Sequence, residues 1–122
     1  MAHTVAWFDI PVTDMTRAIA FYEALTGQTL TRLPVGADEE TALFEATDGD
    51  VSGCLFASAE DQPSIHGSRV YLSAEPSIDD WLARVEPAGG EVLRPKTPIP
   101  GRGHFAYIRD SEGNRVGLHS SS

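Results

Sequence analysis

Cysteine is nearly absent: Cys54 stands alone among 122 residues. A single cysteine excludes an intrachain disulfide and fits a reducing, cytoplasmic setting. With Val51, Leu55 and Phe56 beside it in sequence, it reads as a buried, inert thiol. Positive charge is scarce too. Nine Lys and Arg stand against 18 Asp and Glu, a formal net charge of −9. That balance opposes nucleic acid, whose phosphates draw basic surfaces, and it opposes an anionic membrane. The nine bases are scattered along the chain, so none of them forms a local exception. The acidity keeps the chain soluble and is compatible with a cationic ligand. Long apolar runs are missing: none nears the roughly 20 residues of a membrane helix. The opening MAHTVAWF lacks a basic region followed by an apolar stretch, so no signal peptide is expected. No Ser-His-Asp or Cys-His order can be argued. Gly101 and Gly103 have neither the spacing nor the strand-to-helix context of a phosphate loop.

What is present is a repeat. Trp7 to Gly27 (WFDIPVTDMTRAIAFYEALTG) reads as strand, connection, amphipathic helix and glycine stop. A shift of 62 (69 − 7) lays Arg69 to Gly89 (RVYLSAEPSIDDWLARVEPAG) over it without a gap. Ile10 then meets Leu72, Ile19 meets Trp81 and Gly27 meets Gly89. Asp48 and Asp110 keep the same offset. Such a repeat sets the architecture. The chain has the size of one domain, 1–122, built of repeats at about 4–58 and 68–119. The polar linker 59–67 (AEDQPSIHG) divides them. A chain this long buries roughly two-thirds of its unfolded surface and needs no staples.

Each repeat reads β-α-β-β-β. Val5 to Pro11 alternates as a strand and ends near its proline. Thr13 or Asp14 caps a helix that carries Ala18, Ile19, Tyr22 and Leu25 at helical spacing. Gly27 closes it. Strands follow at 28–35, 41–46 and 51–58, with an acidic turn at 36–40 and an Asp48-Gly49-Asp50 hairpin turn. The second repeat has a strand at 68–74 and a helix capped by Ser77 and stopped by Pro87 and Gly89. Strands at 91–94, 104–109 and 115–119 complete it. Pro95 to Gly103 (PKTPIPGRG) reads as a loop at a site mouth. Asp110 to Asn114 (DSEGN) reads as a tight turn.

The duplicated unit, the opening WFDIPVTDMTRAIAFYEALTG and the closing FAYIRDSEGNRVGLHS resemble the vicinal oxygen chelate superfamily. Glyoxalase I, bleomycin-resistance proteins and extradiol dioxygenases belong to it, and the nearest flavour is the small glyoxalase-related proteins. The resemblance runs from about residue 4 to 119. It implies an α+β fold of two tandem βαβββ modules. They form a curled, mostly antiparallel, eight-stranded sheet around a concave site, with helices on the convex face. Metal-dependent members take His, Glu or Gln ligands from the first and last strand of each module. Carried over, those positions fall on Trp7, Arg69, Gly117 and either Gly53 or Leu55. None is a metal ligand, and Arg69 would repel a divalent cation. The resemblance therefore implies a site without the family's usual metal and no other cofactor.

Alternation puts Trp7, Asp9, Arg69, Tyr71, Arg115, Gly117 and His119 on the concave face. Phe8, Ile10, Val70, Leu72, Val116 and Leu118 face the helices. Asp9 and His119, with Tyr71, are the catalytic candidates. They read as acid/base partners, as two ligands of a shifted metal site, or as a structural pair. Arg69 reads either as a clamp for a carboxylate or phosphate or as a salt-bridge partner of Asp9 or a glutamate. Trp7 and Tyr71 either stack on a flat ligand or fill the cavity. Gly117 and His104 complete the candidate lining, His104 at the mouth. Trp81 reads as core; His3 and His66 read as exposed.

Three functions follow. The first is a metal-free small-molecule binder of the bleomycin-resistance kind. The second is a glyoxalase-like lyase, isomerase or dioxygenase that uses non-standard ligands or Asp9 and His119. The third is an interaction module whose pocket is filled. The first is favoured, with catalysis undecided. The expected partners are a small molecule and a second copy. A curled, unclosed sheet leaves edges to protect, and the family often forms homodimers. A sedimentation mass near 13.1 kDa would refute the dimer.

Overall fold

The computed structural model describes residues 5–34, 39–47 and 50–121. The acidic turn at 36–40, the Asp48–Gly49 corner and His3 lie wholly or partly outside them. The first module is β1 (Trp7–Pro11), α1 (Met15–Thr26), β2 (Thr31–Pro34), β3 (Glu40–Leu43) and β4 (Ser52–Ala57). The second is β5 (Tyr71–Ser73), α2 (Ile78–Ala88), β6 (Glu91–Pro98), β7 (His104–Arg109) and β8 (Arg115–Ser120). The duplicated β-α-β-β-β order expected from the repeat is present.

The eight strands form two sheets of four, ordered β1-β4-β3-β2 and β5-β8-β7-β6. One pair in each is parallel, β1 with β4 and β5 with β8; the others are antiparallel. No strand pairing joins the two sheets among the described residues. Helix α1 packs on β3 and β4, α2 packs on β6, β7 and β8, and the helices pack on each other. The predicted apolar face goes to this core: Phe8, Ile10, Val70, Leu72, Val116 and Leu118 all join it. From α1 come Met15, Ala18, Phe21, Tyr22 and Leu25; from α2, Ile78, Trp81 and Val85. Asp14 and Ser77 cap the helices by accepting from the backbone N–H of Arg17 and Asp79. Gly27 and Gly89 end them in the left-handed region, at φ 74° and 106°.

Strands β2, β3 and β5 are shorter than the expected 28–35, 41–46 and 68–74, and Arg69 lies just before β5; two further elements run longer than the sequence reading. Helix α2 passes through Pro87 to Ala88. Proline's fixed φ is compatible with a helix, so the chain keeps its course for one more residue with one N–H donor lost near the end, and Gly89 provides the stop. Strand β6 runs on to Pro98, so the loop expected at 95–103 starts only after Pro98. Pairing with β7 survives there through irregular register: Val92 lies opposite Ile108, but Arg94 lies opposite Tyr107. Leu93 is the extra residue of a bulge, and the bulge turns Arg94 toward Tyr107.

The DSEGN turn does more than close a hairpin: it ties the second module to the first. Buried Asp110 accepts from Tyr22 Oη of α1 at 2.6 Å and from the backbone N–H groups of Glu112 and Asn114. Asn114 Nδ2 donates to Asp110 and to the Pro11 carbonyl at the end of β1. Glu112, its side chain wholly buried, receives the N–H groups of Thr13 and Asp14 and the guanidinium of Arg17. Beyond the Asp14 cap the first turn of α1 has no acidic residue, and Glu112 adds to the negative charge that a helix N-terminus favours.

Candidate functional site

Strand pairing fixes which residues share a face. In the second sheet Tyr71, Gly117, Tyr107 and Arg94 stand in one row across all four strands. The next row holds Ser73, His119, Phe105 and Thr97. Gly117 is the floor of the first row: a Cβ there would lie 2.4 Å from the Tyr71 ring. In the first sheet Asp9 pairs with Cys54 as Tyr71 pairs with Gly117. The fourth-strand family position therefore falls on Cys54. Gly53 and Leu55 point the other way: Phe8 covers Gly53, and Leu55 is in the core. The turn before β4 is one residue shorter than the equivalent turn before β8 (Asp48 to Cys54 against Asp110 to Gly117), which shifts the carry-over by one.

Tyr107 gathers three arginines. The Arg69 guanidinium lies over its ring, 4.0 Å from the centroid. Those of Arg94 and Arg115 both lie 5.9 Å away. Arg94 also lies over Phe105 at 5.0 Å. Arg69 donates to the Tyr71 hydroxyl at 3.2 Å, which donates to the Tyr107 hydroxyl at 3.3 Å. Burial pushes the Tyr71 hydroxyl up. The hydrogen bonds that Tyr107 and Arg69 offer its ionised form, and the charges of Arg69 and Arg115, outweigh that, and the net direction is down. Tyr107, the donor in that ionised pair, is held above its ordinary value. The salt bridge considered for Arg69 is not there. Among the described residues the ion pairs are Arg17–Glu112, Arg32–Glu40, Lys96–Asp79 and Arg109–Glu91.

The other candidates have local partners. Asp9 accepts from Trp7 Nε1 at 3.0 Å and from Cys54 Sγ at 3.1 Å. Burial, with Asp9 beside it, pushes the Cys54 thiol up to about 12, the direction of an inert thiol. His119 Nε2 sits 2.7 Å from the Arg102 carbonyl oxygen. Asp9 and His119 thus lie on different sheets, and no hydrogen bond joins them among the described residues. His104 is half-buried at the start of β7, and its Nδ1 has no hydrogen-bond partner among the described residues. Trp7 and Tyr71 are 49% and 47% exposed, so neither fills the core.

Two cavities border these residues. A cleft of about 870 Å³ opens between the modules. Phe8 and Phe44, with ring centroids 5.6 Å apart, form its first-module wall. Val70, Leu72 and Trp81 form the second, and Arg69 and Tyr71 stand on its lining. Trp7 is not part of this lining. A smaller cavity of about 100 Å³ lies where β1 meets the second module, with Asp9 and Arg115 in its wall. Arg69 and Tyr71 therefore belong to both the cleft and the arginine cluster.

The sequence reading missed Arg94 and Tyr107 and gave Arg115 no role. A signal existed. The hairpin around the DSEGN turn pairs Tyr107 with Gly117, so alternation on β7 places Phe105 and Tyr107 on the candidate face. Arg94 was hidden by the bulge. The bases scattered in sequence are partly gathered by the fold.

The donor set tests whether the family's metal fits. The carried-over positions hold Trp7, Arg69, Gly117 and Cys54. Cys54 alone is a ligand type, and its raised pKa opposes the thiolate a metal needs. No three of His, Cys, Asp and Glu converge among the described residues. These residues do not fit a chelated divalent ion. No helix is long and apolar enough to cross a membrane among the described residues.

The comparisons with known proteins agree with the architecture. Residues 2–118 match the family described as the Glyoxalase/Bleomycin resistance protein/Dioxygenase superfamily. A Mycobacterium tuberculosis protein, CFP32, which carries the name of a glyoxylase, is 30% identical over 110 residues. That match takes in 90% of this chain but spans only 41% of CFP32. A glyoxalase/bleomycin resistance protein from Streptomyces sp. CB03234 has a similar fold, with a TM-score of 0.71 and 24% identity. It aligns over 96% of this chain and 100% of its own. A glyoxalase I mutant from Zea mays gives a TM-score of 0.73 at 18% identity, over 93% of this chain and 44% of the maize chain. On the family match and the duplicated βαβββ architecture, the chain belongs to the glyoxalase/bleomycin resistance/dioxygenase superfamily.

Proposed function

We propose that the chain is a small-molecule binder that holds its ligand in the cleft between the two modules, without the family's metal. One observation carries this reading: the cleft of about 870 Å³ with walls of Phe8, Phe44, Val70, Leu72 and Trp81. That volume is in the range of ligand pockets, which are mostly apolar with a few polar groups that set orientation. Arg69 and Tyr71 are those groups. The open cleft also argues against an interaction module with a filled pocket. The expected homodimer remains part of the proposal, under the sedimentation test already given.

A catalytic reading has support at one point. The lowered Tyr71 hydroxyl, between Arg69 and Tyr107, suits proton transfer better than an ordinary tyrosine does. Asp9 and His119 offer no such arrangement, since each has its own partner on its own sheet.

The test uses N-phenyl-1-naphthylamine, an uncharged probe that fluoresces in apolar surroundings. It is expected to bind at micromolar concentration with one site per chain. Val70→Glu, which puts a carboxylate on the cleft wall, is expected to weaken binding by about tenfold or more, as burying a charge requires. Circular dichroism shows whether that variant folds. No enhancement with folded wild type refutes the cleft reading.

A further inference from the structure

Among the described residues no carboxylate pairs with the arginine cluster. The chain holds 18 acidic and nine basic residues, so carboxylates to pair with are plentiful. Four bases have found them. Arg69, Arg94 and Arg115 instead converge on one tyrosine ring. Arg69 Nε is buried and has no hydrogen-bond partner among the described residues. Three like charges at close quarters repel, and ring faces offset only part of that. An anion would relieve the repulsion and satisfy the open donors. We propose that the ligand is a planar carboxylic acid whose carboxylate sits on Arg69, Arg94 and Arg115 while its apolar body enters the cleft.

The chemistry follows from the groups present. Arginine's planar fork matches a carboxylate in two parallel hydrogen bonds. The Tyr71 hydroxyl adds a further polar contact, and its ring over Gly117 gives the acid a flat wall. Val70 and Leu72 turn to the cleft and Tyr71 to the cluster on the opposite face, but β5 is an edge strand, so a molecule lying across that edge meets both. The proposal rests on the cleft reading for the ligand's body but not for its charged end. The net charge of −9 points toward a cationic ligand; the cluster reverses that locally.

The experiment compares 1-naphthoate with uncharged 1-naphthamide, two probes of nearly the same shape that differ in charge. Each is titrated directly by calorimetry and by displacement of N-phenyl-1-naphthylamine. Wild type is expected to bind naphthoate at least about tenfold more tightly than naphthamide, as a charge-assisted pair allows. Arg69→Gln and Arg115→Gln are each expected to cut that preference by about tenfold, weakening naphthoate more than naphthamide. Arg32→Gln, at the separate pair with Glu40, is expected to keep it. Added salt is expected to weaken naphthoate alone. Equal affinity of acid and amide in wild type overturns the proposal, and so does a preference that survives both cluster substitutions. Tighter binding of naphthyl phosphate than of naphthoate overturns the carboxylate assignment. If the uncharged probes bind with no preference for the acid, the cleft reading stands and this proposal falls. If naphthoate binds in an arginine-dependent way and the uncharged probes do not, the anion site stands and the cleft reading falls.

Discussion

Asp110→Ala is expected to lower the melting temperature by roughly 15 °C, a loss on the order of 4 kcal/mol. Asp110 is 3% exposed and accepts four hydrogen bonds: from Tyr22, the side chain of Asn114 and two backbone N–H groups. Alanine leaves the Tyr22 hydroxyl stranded in a fully buried position, and burial with Asp110 already pushes that hydroxyl well up. Each buried donor left without a partner costs about 1–3 kcal/mol. Whole-domain stability is only about 5–15 kcal/mol, so this substitution removes a large share of it. Asp110→Asn is expected to cost less. It keeps the oxygen that receives the two backbone groups but sets an amide against Asn114 Nδ2. Thermal melts followed by circular dichroism check both. An Asp110→Ala chain that melts within a few degrees of wild type would mean that the modules are not tied at this turn.

The neighbouring Glu112 gives an effect that depends on pH. Burial pushes its carboxyl up, but hydrogen bonds from Arg17 and from the N–H groups of Asp14 and Thr13 outweigh it and hold it at about 2. The ordinary value is 4.5. A carboxyl depressed by folding stabilises the folded state fully above its unfolded value. That stabilisation drains away as pH falls toward its folded value. Glu112→Gln is therefore expected to be less stable than wild type by about 2 kcal/mol at pH 7, with the shift discounted because Arg17 is half exposed. The gap is expected to shrink from pH 5 downward and to close near pH 2. Denaturant titrations of both chains across that range measure it. A gap that stays constant with pH would show that the buried carboxylate's charge plays no part.

These two residues show where the sequence was legible and where it was not. The turn was readable as a turn, because Gly113 and Asn114 follow an acidic residue between two strands. Its grip on α1 was not, since Tyr22 and Asp110 are 88 positions apart and nothing in local patterning joins them. The core faces were legible for a physical reason: alternation has a period of two, and a single slip would have turned Ile10, Leu72 and Leu118 to solvent. The same regularity failed on β6, where one bulge re-aimed Arg94. It failed again at β4, where a turn one residue shorter than its counterpart before β8 moved the family position from Leu55 to Cys54. The site was half legible. Arg69 and Tyr71 could be named from one strand. Their setting comes from Arg94, Tyr107 and Arg115 on three other strands, and only pairing brings those together.

The proposed ligand site is the cleft between the modules. The chain's two tryptophans report on it directly. Trp81 lines the cleft, while Trp7 lies outside its lining with its indole N–H donated to Asp9. A nitrogen–proton correlation spectrum of labelled protein shows one indole resonance from each. On titration with 1-naphthoate, the Trp81 resonance is expected to shift progressively to saturation while that of Trp7 stays in place. A shift confined to Trp7, with Trp81 unmoved at saturating ligand, would place the ligand on the face of the first sheet and contradict the account.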